Sequence, residues 1–482
     1  IVGGSASSAV TVTFNGIISG GGGFTNNNAN ITSVFAAANT QSGGLTVSAG
    51  SVKLNSGGAF GSTNQSIRIA SGATLDLNGV NATVGSVAEV GTGNGGTISL
   101  GSGTLTLTAN STSLYQNSIS GSGGLSKQGS HTLSLYGTQA YTGTTTVDTG
   151  TLSTSVSMAS TNYALNGGSF VTSGANQIVD TAGITLSGGD LQVGGNDTIG
   201  NNGITLTAST TSSLRAWGGT GSTTTINGTV TGSGNIIKYG VGNLHLNSTN
   251  NNLSGTVFLQ QGTLRITNAN NLGTASLQMG SGTTNSTFQV SNNVTRTAGL
   301  GISNGSTGSA IEVGTDATFT QSGNLTQAGG ADNSTKFGKS GAGTLVLNGS
   351  SSTYGGQIQV GQGTVVVAQN NALSTNTTTA NRGIDLGLNV GDTNMANNVA
   401  VLGRDGVTIS NSIYVASNTN DATRTIGLDG TGTATFNNEI YLDGTLTVTR
   451  ATLTTGDLAV AQAAPGVARI DNGTVTLAPW RF

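Results

Sequence analysis

Residues 121–135 read GSGGLSKQGSHTLSL, and this stretch decides the fold. After a glycine-rich turn, Leu133 and Leu135 stand two residues apart with a serine between them. Residues two apart point to the same side of a β-strand, because successive side chains alternate between its faces. The same alternation recurs through the chain between clusters of Gly, Asn and Ser, which supply turns. The pattern predicts an all-β protein of short strands.

A longer repeat, centred on lysine, is superimposed on this alternation. Lys127, Lys238 and Lys339 are each followed six residues later by the first leucine of a Leu-x-Leu step. Each copy of the repeat ends at a Gly-Thr-Leu or Gly-Thr-Val step. The best copies span residues 121–152, 232–264 and 337–365. A solenoid requires such repetition, because each turn buries its apolar face only against neighbouring turns. We expect one elongated β-solenoid over residues 1–482, with roughly 22 residues per turn and about 20 turns.

The composition supports an ordered, secreted β protein. The 482 residues include 80 Gly but only two Pro and no Cys, and charged residues make up 7% with a net charge of −3. The absence of Cys excludes disulfides, and the near-neutral balance excludes a strongly basic nucleic-acid binder. No run of 18 apolar residues occurs, so the sequence predicts no membrane-spanning segment. We expect a processed or partial chain, because Ile1 is not an initiating methionine.

The segment 121–152 resembles the autotransporter-associated β-strand repeat, also called the passenger-associated transport repeat. The family pattern reads roughly Gly-Ser-Gly-Gly-Leu-x-Lys-x-Gly-x-Gly-x-Leu-x-Leu, then Tyr-x-Gly and Gly-Thr-Leu, and this segment matches it nearly throughout. Residues 232–264 have Leu253 where tyrosine is usual, and residues 337–365 lack the opening Gly-Ser-Gly-Gly. The resemblance implies a right-handed parallel β-helix exposed at a bacterial surface, and it does not imply an activity.

Three motifs invite a ligand-binding interpretation, and each has a plainer structural one. Gly91–Gly96 fits the dinucleotide-binding pattern, but the residues after it, Thr97–Leu100, predict a strand where a helix is needed. The Gly-Lys-Ser step at Lys339 resembles the end of a phosphate loop, but Asn333 stands where that loop needs Gly. Gly194–Ile199 resembles one calcium-binding turn, and such sites need tandem copies. We therefore predict no cofactor and no metal ion.

The remaining polar residues form no catalytic constellation. His131 falls in a predicted turn, and His245 is predicted to point outward between two leucines. A polysaccharide-cleaving site would need paired acids in a groove with aromatic platforms. Trp217 with Arg215 is the only such hint, and its plainer interpretation is a loop anchor. We therefore predict no catalytic residues and no enzyme.

The repeated lysines and tyrosines have structural interpretations as well. Each of Lys127, Lys238 and Lys339 is expected to close a turn by donating to carbonyls while its stem covers the outer wall. Tyr141 and Tyr354 are expected to be partly buried anchors whose hydroxyls stay in water.

The two ends of the chain offer strands for docking between subunits. An open solenoid leaves unpaired strand groups at its ends. The residues that we expect to dock are Val10, Val12 and Phe14 near the start, and Val475, Leu477, Trp480 and Phe482 within residues 473–482. One subunit's terminal strand or tail would add to the next subunit, which is β-augmentation repeated head to tail.

The sequence therefore favours a non-enzymatic structural protein, extracellular or at a bacterial cell surface. Our main interpretation is a subunit of a self-assembling surface filament or biofilm matrix with an adhesive role, so its partner is a second copy of itself. The alternative is a monomeric autotransporter passenger adhesin that binds host or surface glycans. A polysaccharide-active β-helix enzyme is the third interpretation.

Overall fold

The computed structural model describes residues 1–3, 7–91, 96–108, 112–200, 202–281, 284–328, 334–373, 383–389, 393–394, 397–417, 422–449, 451–455, 458–460, 468–471 and 474–477. For residues 393–394 and beyond residue 452 it describes the backbone alone. Regular structure in these residues is almost entirely β-strand. The strands pair in parallel from one turn to the next and form a β-solenoid of about 18 turns. The predicted all-β parallel β-helix is confirmed.

The chain divides into two compact units, Ile1–Asn235 and Ile236–Phe482. The strands of the first unit are Val10–Phe14, Phe24–Phe35, Ala38–Asn39, Leu45–Leu54, Ala59–Phe60, Ser66–Ile69, Thr74–Asp76, Ala82–Val84, Ser86–Glu89, Thr97–Ser99, Leu105–Leu107, Ser113–Tyr115, Ile119–Gly121, Leu125–Lys127, Thr132–Leu135, Gln139–Tyr141, Thr145–Val147, Thr151–Thr154, Asn162–Leu165, Ser169–Thr172, Gly183–Leu186, Asp190–Val193, Asp197–Ile199, Ile204–Leu206, Thr211–Ala216, Thr223–Ile226 and Val230–Gly232.

The second unit has the same kind of strand. Its strands, the first of which begins one residue before the boundary, are Asn235–Tyr239, Asn243–Leu246, Asn252–Leu253, Thr256–Leu259, Gly262–Ile266, Ser276–Met279, Ser286–Val290, Val294–Arg296, Leu300–Ser303, Ser309–Val313, Thr318–Gln321, Leu325–Ala328, Lys336–Ser340, Thr344–Leu347, Gln357–Val360, Gly363–Val367, Ile384–Leu386, Leu388–Asn389, Thr393–Asn394, Val399–Gly403, Thr408–Ile409, Ile413–Val415, Arg424–Leu428, Ala434–Phe436, Ile440–Leu442, Leu446–Thr449, Ala451–Thr455, Leu458–Val460, Ala468–Asp471 and Thr474–Leu477. Its described residues include one short 3-10 helix, Ala269–Asn271.

Alternation along each strand builds the core of the first unit. Leu133, Leu152, Phe170, Leu191 and Leu214 occupy equivalent register positions on five successive turns, and each is at most 1% exposed. Burying such a side chain contributes about 2 kcal/mol relative to leaving it in water. Each turn therefore adds one layer to a continuous apolar ladder.

The second unit has the same kind of inward ladder, but one position is charged. Leu264, Phe288 and Ile311 pair in register on successive turns, and Lys339 occupies the next position, followed by Val360. All five side chains are buried. A lysine therefore stands inside the solenoid, at a position that otherwise takes Leu, Phe, Ile or Val.

The glycine of each Gly-Thr-Leu or Gly-Thr-Val step opens a strand. Gly150, Gly262 and Gly363 have φ angles of 67°, 71° and 76°, in the left-handed region that glycine adopts most readily. A Cβ atom at these positions would lie 2.4–2.5 Å from a backbone carbonyl oxygen about one turn earlier in the chain. Glycine satisfies both the dihedral angle and the close approach, which explains its place in the repeat.

The second unit departs from simple alternation at Thr344–Leu347 and Gly363–Val367. Val346 and Val366 take the outward positions of these strands, yet they are only 3% and 2% exposed. Outward positions of these two strands are therefore taken by buried apolar side chains. Nearby, Leu388–Asn389 pairs with Thr393–Asn394 in antiparallel orientation, unlike the parallel ladders around it.

Candidate functional site

The three repeat lysines are buried and bind backbone carbonyls. Lys238 is 0% exposed, and its Nζ donates to the carbonyl oxygens of Gly240 at 2.7 Å and Gln261 at 2.8 Å. Lys339 makes the same pair of contacts one repeat later, with Gly341 at 2.7 Å and Gln362 at 3.0 Å. One acceptor belongs to the lysine's own turn and the other to the next, so each lysine links adjacent turns.

This arrangement corrects one expectation about the lysines. Their donation to carbonyls is confirmed, but their stems do not cover the outer wall, because Lys127, Lys238 and Lys339 are 4%, 0% and 0% exposed. Burial lowers the pKa of Lys238 and of Lys339 to about 7, and it lowers the pKa of Lys127 as well. The lysines lie inside the wall and serve the architecture.

The tyrosines of the repeat are also buried. Tyr141 and Tyr354 are both 0% exposed, so the expectation that their hydroxyls stay in water is wrong. The Tyr141 hydroxyl lies 2.8 Å from Thr145 Oγ1, and the Tyr354 hydroxyl lies 2.8 Å from the Gln357 carbonyl oxygen. These internal partners replace water.

Strand and turn residues make up the described parts of the motifs with a ligand-binding interpretation, and residues 92–95 of the Gly91–Gly96 motif lie outside the described residues. A strand, Thr97–Ser99, follows Gly96, and Lys339 lies within the strand Lys336–Ser340. The Asp197 carboxylate, in the calcium-like turn, accepts hydrogen bonds from the backbone N–H groups of Thr198 at 2.8 Å and Asn176 at 3.1 Å. Within the described residues, no group of three or more acidic or histidine side chains could hold a metal ion.

The two histidines lie in different units, His131 in the first and His245 in the second. His131 is exposed, and its Nδ1 lies 3.2 Å from Ser130 Oγ. His245 points outward from its strand and is in register with Arg265. Burial lowers the pKa of His245, and the positive charge of Arg265 lowers it further. Neither histidine is placed as a general base.

The predicted docking residues near the start of the chain lie on an outermost strand. Val10–Phe14 pairs on one side with Phe24–Phe35, and no described strand pairs with its other side. Val10 is 41% exposed, whereas the Phe14 ring packs edge-on, 5.4 Å from the Phe24 ring. Among the described residues, the strand is therefore paired along one side only.

The predicted docking residues near the other end are only partly described. Val475 and Leu477 lie on the strand Thr474–Leu477, which pairs in parallel with Ala451–Thr455. Trp480 and Phe482 fall outside the described residues.

An exposed tryptophan marks a polar patch on the outer face of the first unit. We define the Trp217 patch as Ser169, Asp190, Gln192, Arg215 and Trp217. Asp190 pairs in register with Ser169 on the preceding strand, and Gln192 with Arg215 on the following one. Trp217 comes two residues after Arg215 and is 42% exposed.

The polar side chains of the Trp217 patch converge on one carboxylate. Asp190 Oδ2 accepts a hydrogen bond from Gln192 Nε2 at 2.6 Å and lies 3.7 Å from Arg215 Nη2. Burial raises the pKa of Asp190, while the Gln192 bond and the Arg215 charge act to lower it. The Asp190 carboxylate therefore lies between the Gln192 amide and the Arg215 guanidinium, and Trp217 follows two residues after Arg215.

Sequence reasoning missed a pair of tyrosines on the outer face of the second unit. Tyr414 and Tyr441 are in register on adjacent turns. Their hydroxyls donate to the carboxylates of Asp443 and Glu439, respectively. The signal that could have found them is the recurrence of Ile-Tyr-Val at residues 413–415 and Ile-Tyr-Leu at residues 440–442.

No helix in the described part of the chain is both long and apolar enough to cross a membrane.

Comparison with known proteins identifies the repeat. The family model described as the passenger-associated-transport-repeat matches five stretches, which are residues 32–54, 100–120, 125–153, 236–266 and 337–367. Three of them confirm the predicted copies. Sequence reasoning missed the two stretches nearer the start of the chain, because neither contains one of the buried repeat lysines that mark the other three copies.

One similar protein is the adhesin BmaC autotransporter of Brucella suis biovar 1 (strain 1330). It is 32% identical over 214 residues, which is 44% of this chain and 6% of that protein. The chain thus matches only a small part of its relative's length. It carries the passenger-associated transport repeat at five positions along a parallel β-solenoid, three in the first unit and two in the second.

Proposed function

We propose that this chain is a non-enzymatic, adhesive segment of a protein displayed at a bacterial surface or outside the cell. Two observations support an adhesive role: the passenger-associated transport repeats, and the similarity to an autotransporter adhesin. The ligand class that we propose is surface glycans.

The observation that carries the proposal is the Trp217 patch. Tryptophan and arginine are enriched among the residues that dominate binding energy, because they combine large contact area with directed hydrogen bonds. A half-exposed Trp217 follows two residues after Arg215, which is in register with Gln192, on an otherwise Thr-, Ser- and Asn-rich outer face. The indole offers a flat apolar surface to a sugar ring, and the polar side chains offer partners to its hydroxyls.

Replacing Trp217 by alanine is expected to weaken binding of the purified chain to a glycan-coated surface by about tenfold or more, because the main apolar contact is removed. The change should leave the melting temperature unaltered, since Trp217 is half-exposed and outside the apolar ladders. Biolayer interferometry on immobilised cell-surface glycans measures the affinity.

Tyr136→Ala is the matched control for this prediction. Tyr136 is also an exposed aromatic residue of the first unit, at 50% exposure, but lies outside the patch. It should bind like the unaltered chain. If the Trp217→Ala and Tyr136→Ala variants bind equally well, Trp217 is not the adhesive contact. Failure of the unaltered chain to bind any glycan would refute the glycan proposal.

We propose self-association as a second function, supported by the open edge of Val10–Phe14. An unpaired strand edge is a template for a strand from another chain. In this proposal the edge accepts the strand containing Val475 and Leu477 from a second copy, with the Trp480 and Phe482 tail beside it. Repetition of that contact would build a filament.

Deleting residues 473–482 is expected to leave a folded solenoid that no longer polymerises. Negative-stain imaging and light scattering measure assembly, and circular dichroism checks the fold. Val12→Lys is a companion change at the opposite end, because a charge on an edge strand discourages strand addition. Filaments formed by the truncated chain, or no filaments from the unaltered chain, would show that the docking proposal is wrong.

A further inference from the structure

Each unit has an open cleft on its outer face where an alanine interrupts a ladder of threonine and serine. In the first unit the outward ladder runs through Thr106, Ser126, Thr146, Ala164 and Thr185 on successive turns. Ala164 lacks the side-chain atoms that its neighbours extend outward. A cleft of about 490 Å³ opens around it.

The second unit repeats this construction independently. Its outward ladder runs through Thr318, Thr344, Thr364, Ala400 and Thr425. A cleft of about 700 Å³ opens around Ala400. An asparagine stands two residues before the alanine in both cases, in Asn162-Tyr-Ala164 and Asn398-Val-Ala400, and both asparagines line their clefts.

The polar groups of both clefts are uncharged. The first cleft presents Asn162, Thr185, Asn202 and Thr205. The second presents Thr364, Asn398, Thr423 and Thr425, together with Gln362 and Asn397. Among the described residues that line the two clefts, none is acidic, basic or histidine. Hydroxyl and amide groups both donate and accept hydrogen bonds, as sugar hydroxyls do.

Two hydrogen bonds hold asparagines of the second cleft in place. Asn398 Oδ1 accepts a hydrogen bond from the backbone N–H of Thr423 at 2.8 Å, which fixes the amide plane. The buried Arg424 donates from Nη1 to the carbonyl oxygen of Asn397 at 2.6 Å. Groups fixed before binding lose less entropy when a ligand arrives.

We infer that these two clefts are subsites for neutral oligosaccharides, one in each unit, separate from the Trp217 patch. The inference rests on the proposed glycan-binding function and names its ligand chemistry. A charged sugar would have no counter-charge among the described lining residues, whereas a neutral sugar finds matched partners for its hydroxyls. Two modest sites on one chain raise the avidity for a polymer above the affinity of either site.

The test introduces a larger side chain at the alanine of each cleft. Ala164→Leu and Ala400→Leu place a bulky side chain in the cleft at an outward, half-exposed position. Thr106→Leu and Thr318→Leu are the matched controls, each on the same ladder three turns away from the corresponding alanine. The probes are short neutral glucose oligomers, with uronic acid oligomers of equal length for comparison, and isothermal titration calorimetry measures binding.

Besides the Trp217 patch, the two clefts of the unaltered chain are expected to add two binding sites for the neutral oligomers and to bind the acidic oligomers at least about tenfold more weakly. Each alanine variant should lose one site, the double variant both, and the controls neither. Binding by the double variant at wild-type strength, preference for the acidic oligomers, or no binding by the unaltered chain would each overturn the inference.

Loss of glycan adhesion in Trp217→Ala without loss of oligomer binding at the clefts would show that the Trp217 patch and the clefts are separate sites. If the chain still adheres to glycans but the clefts bind no oligomer, this inference is refuted and the proposed adhesive function is not.

Discussion

Replacing Lys238 by methionine is expected to lower the free energy of unfolding of the second unit by about 3 kcal/mol. Methionine keeps the length of the stem but removes the donor to the carbonyl oxygens of Gly240 and Gln261, and to that of Tyr239 at 3.2 Å. Each buried carbonyl left without a partner costs about 1–3 kcal/mol. The cost of burying the ammonium is relieved at the same time, so we take the lower end of this range for each acceptor.

Chemical denaturation measures the change in the free energy of unfolding, and hydrogen exchange over residues 236–266 shows which turns are destabilised. Lys336→Met is the matched control, because Lys336 belongs to the same unit and is only half-buried. It should change stability by no more than about 0.5 kcal/mol. If Lys238→Met is as stable as the unaltered chain, then the desolvation cost of the ammonium outweighs its bonds, and the lysine does not clamp the turns.

Replacing Gly262 by alanine is expected to destabilise the second unit by about 3–4 kcal/mol. The left-handed φ of 71° costs a residue with a Cβ about 1–2 kcal/mol. In addition, the Cβ would lie 2.4 Å from the Gly240 carbonyl oxygen and 2.9 Å from Lys238 Nζ. Overpacking of this kind costs a further ~1–3 kcal/mol. Thermal unfolding followed by circular dichroism measures the loss.

Gly305→Ala separates the two contributions to that loss. Gly305 has nearly the same φ, 68°, in the same unit, but nothing lies within 4 Å of the position that its Cβ would take. Alanine there should cost only the dihedral strain, about 1–2 kcal/mol. If both variants lose the same stability, the close approach of the two turns at Gly262 contributes nothing.

The fold was predictable because its signal is local and repeated. Leu133, Leu244 and Leu345, which the alternation places inside, are 1%, 2% and 0% exposed. The same period of two also places Lys127 on the face of Leu125, and therefore inside. We expected the stems of the repeat lysines to cover the outer wall instead, and burying an isolated charge is costly. The structure resolves that conflict with backbone carbonyls, whose positions depend on two successive turns.

The candidate sites were less predictable, because they depend on which turns become neighbours. Trp217 and Arg215 are close in sequence, and the sequence did single them out. Asp190 and Gln192 join them only through the register between strands. The clefts at Ala164 and Ala400 depend on neighbouring turns in the same way, since an alanine leaves a cleft only when threonines flank it on adjacent turns.

The burial of the repeat lysines has a consequence for chemical labelling. The chain has five lysines, and three of them, Lys127, Lys238 and Lys339, have their amines sealed inside the wall. Only Lys53 and Lys336 keep side-chain amines within reach of an acylating reagent or of trypsin in the folded state. Modification of the other three, followed by mass spectrometry, would therefore report the opening of individual turns.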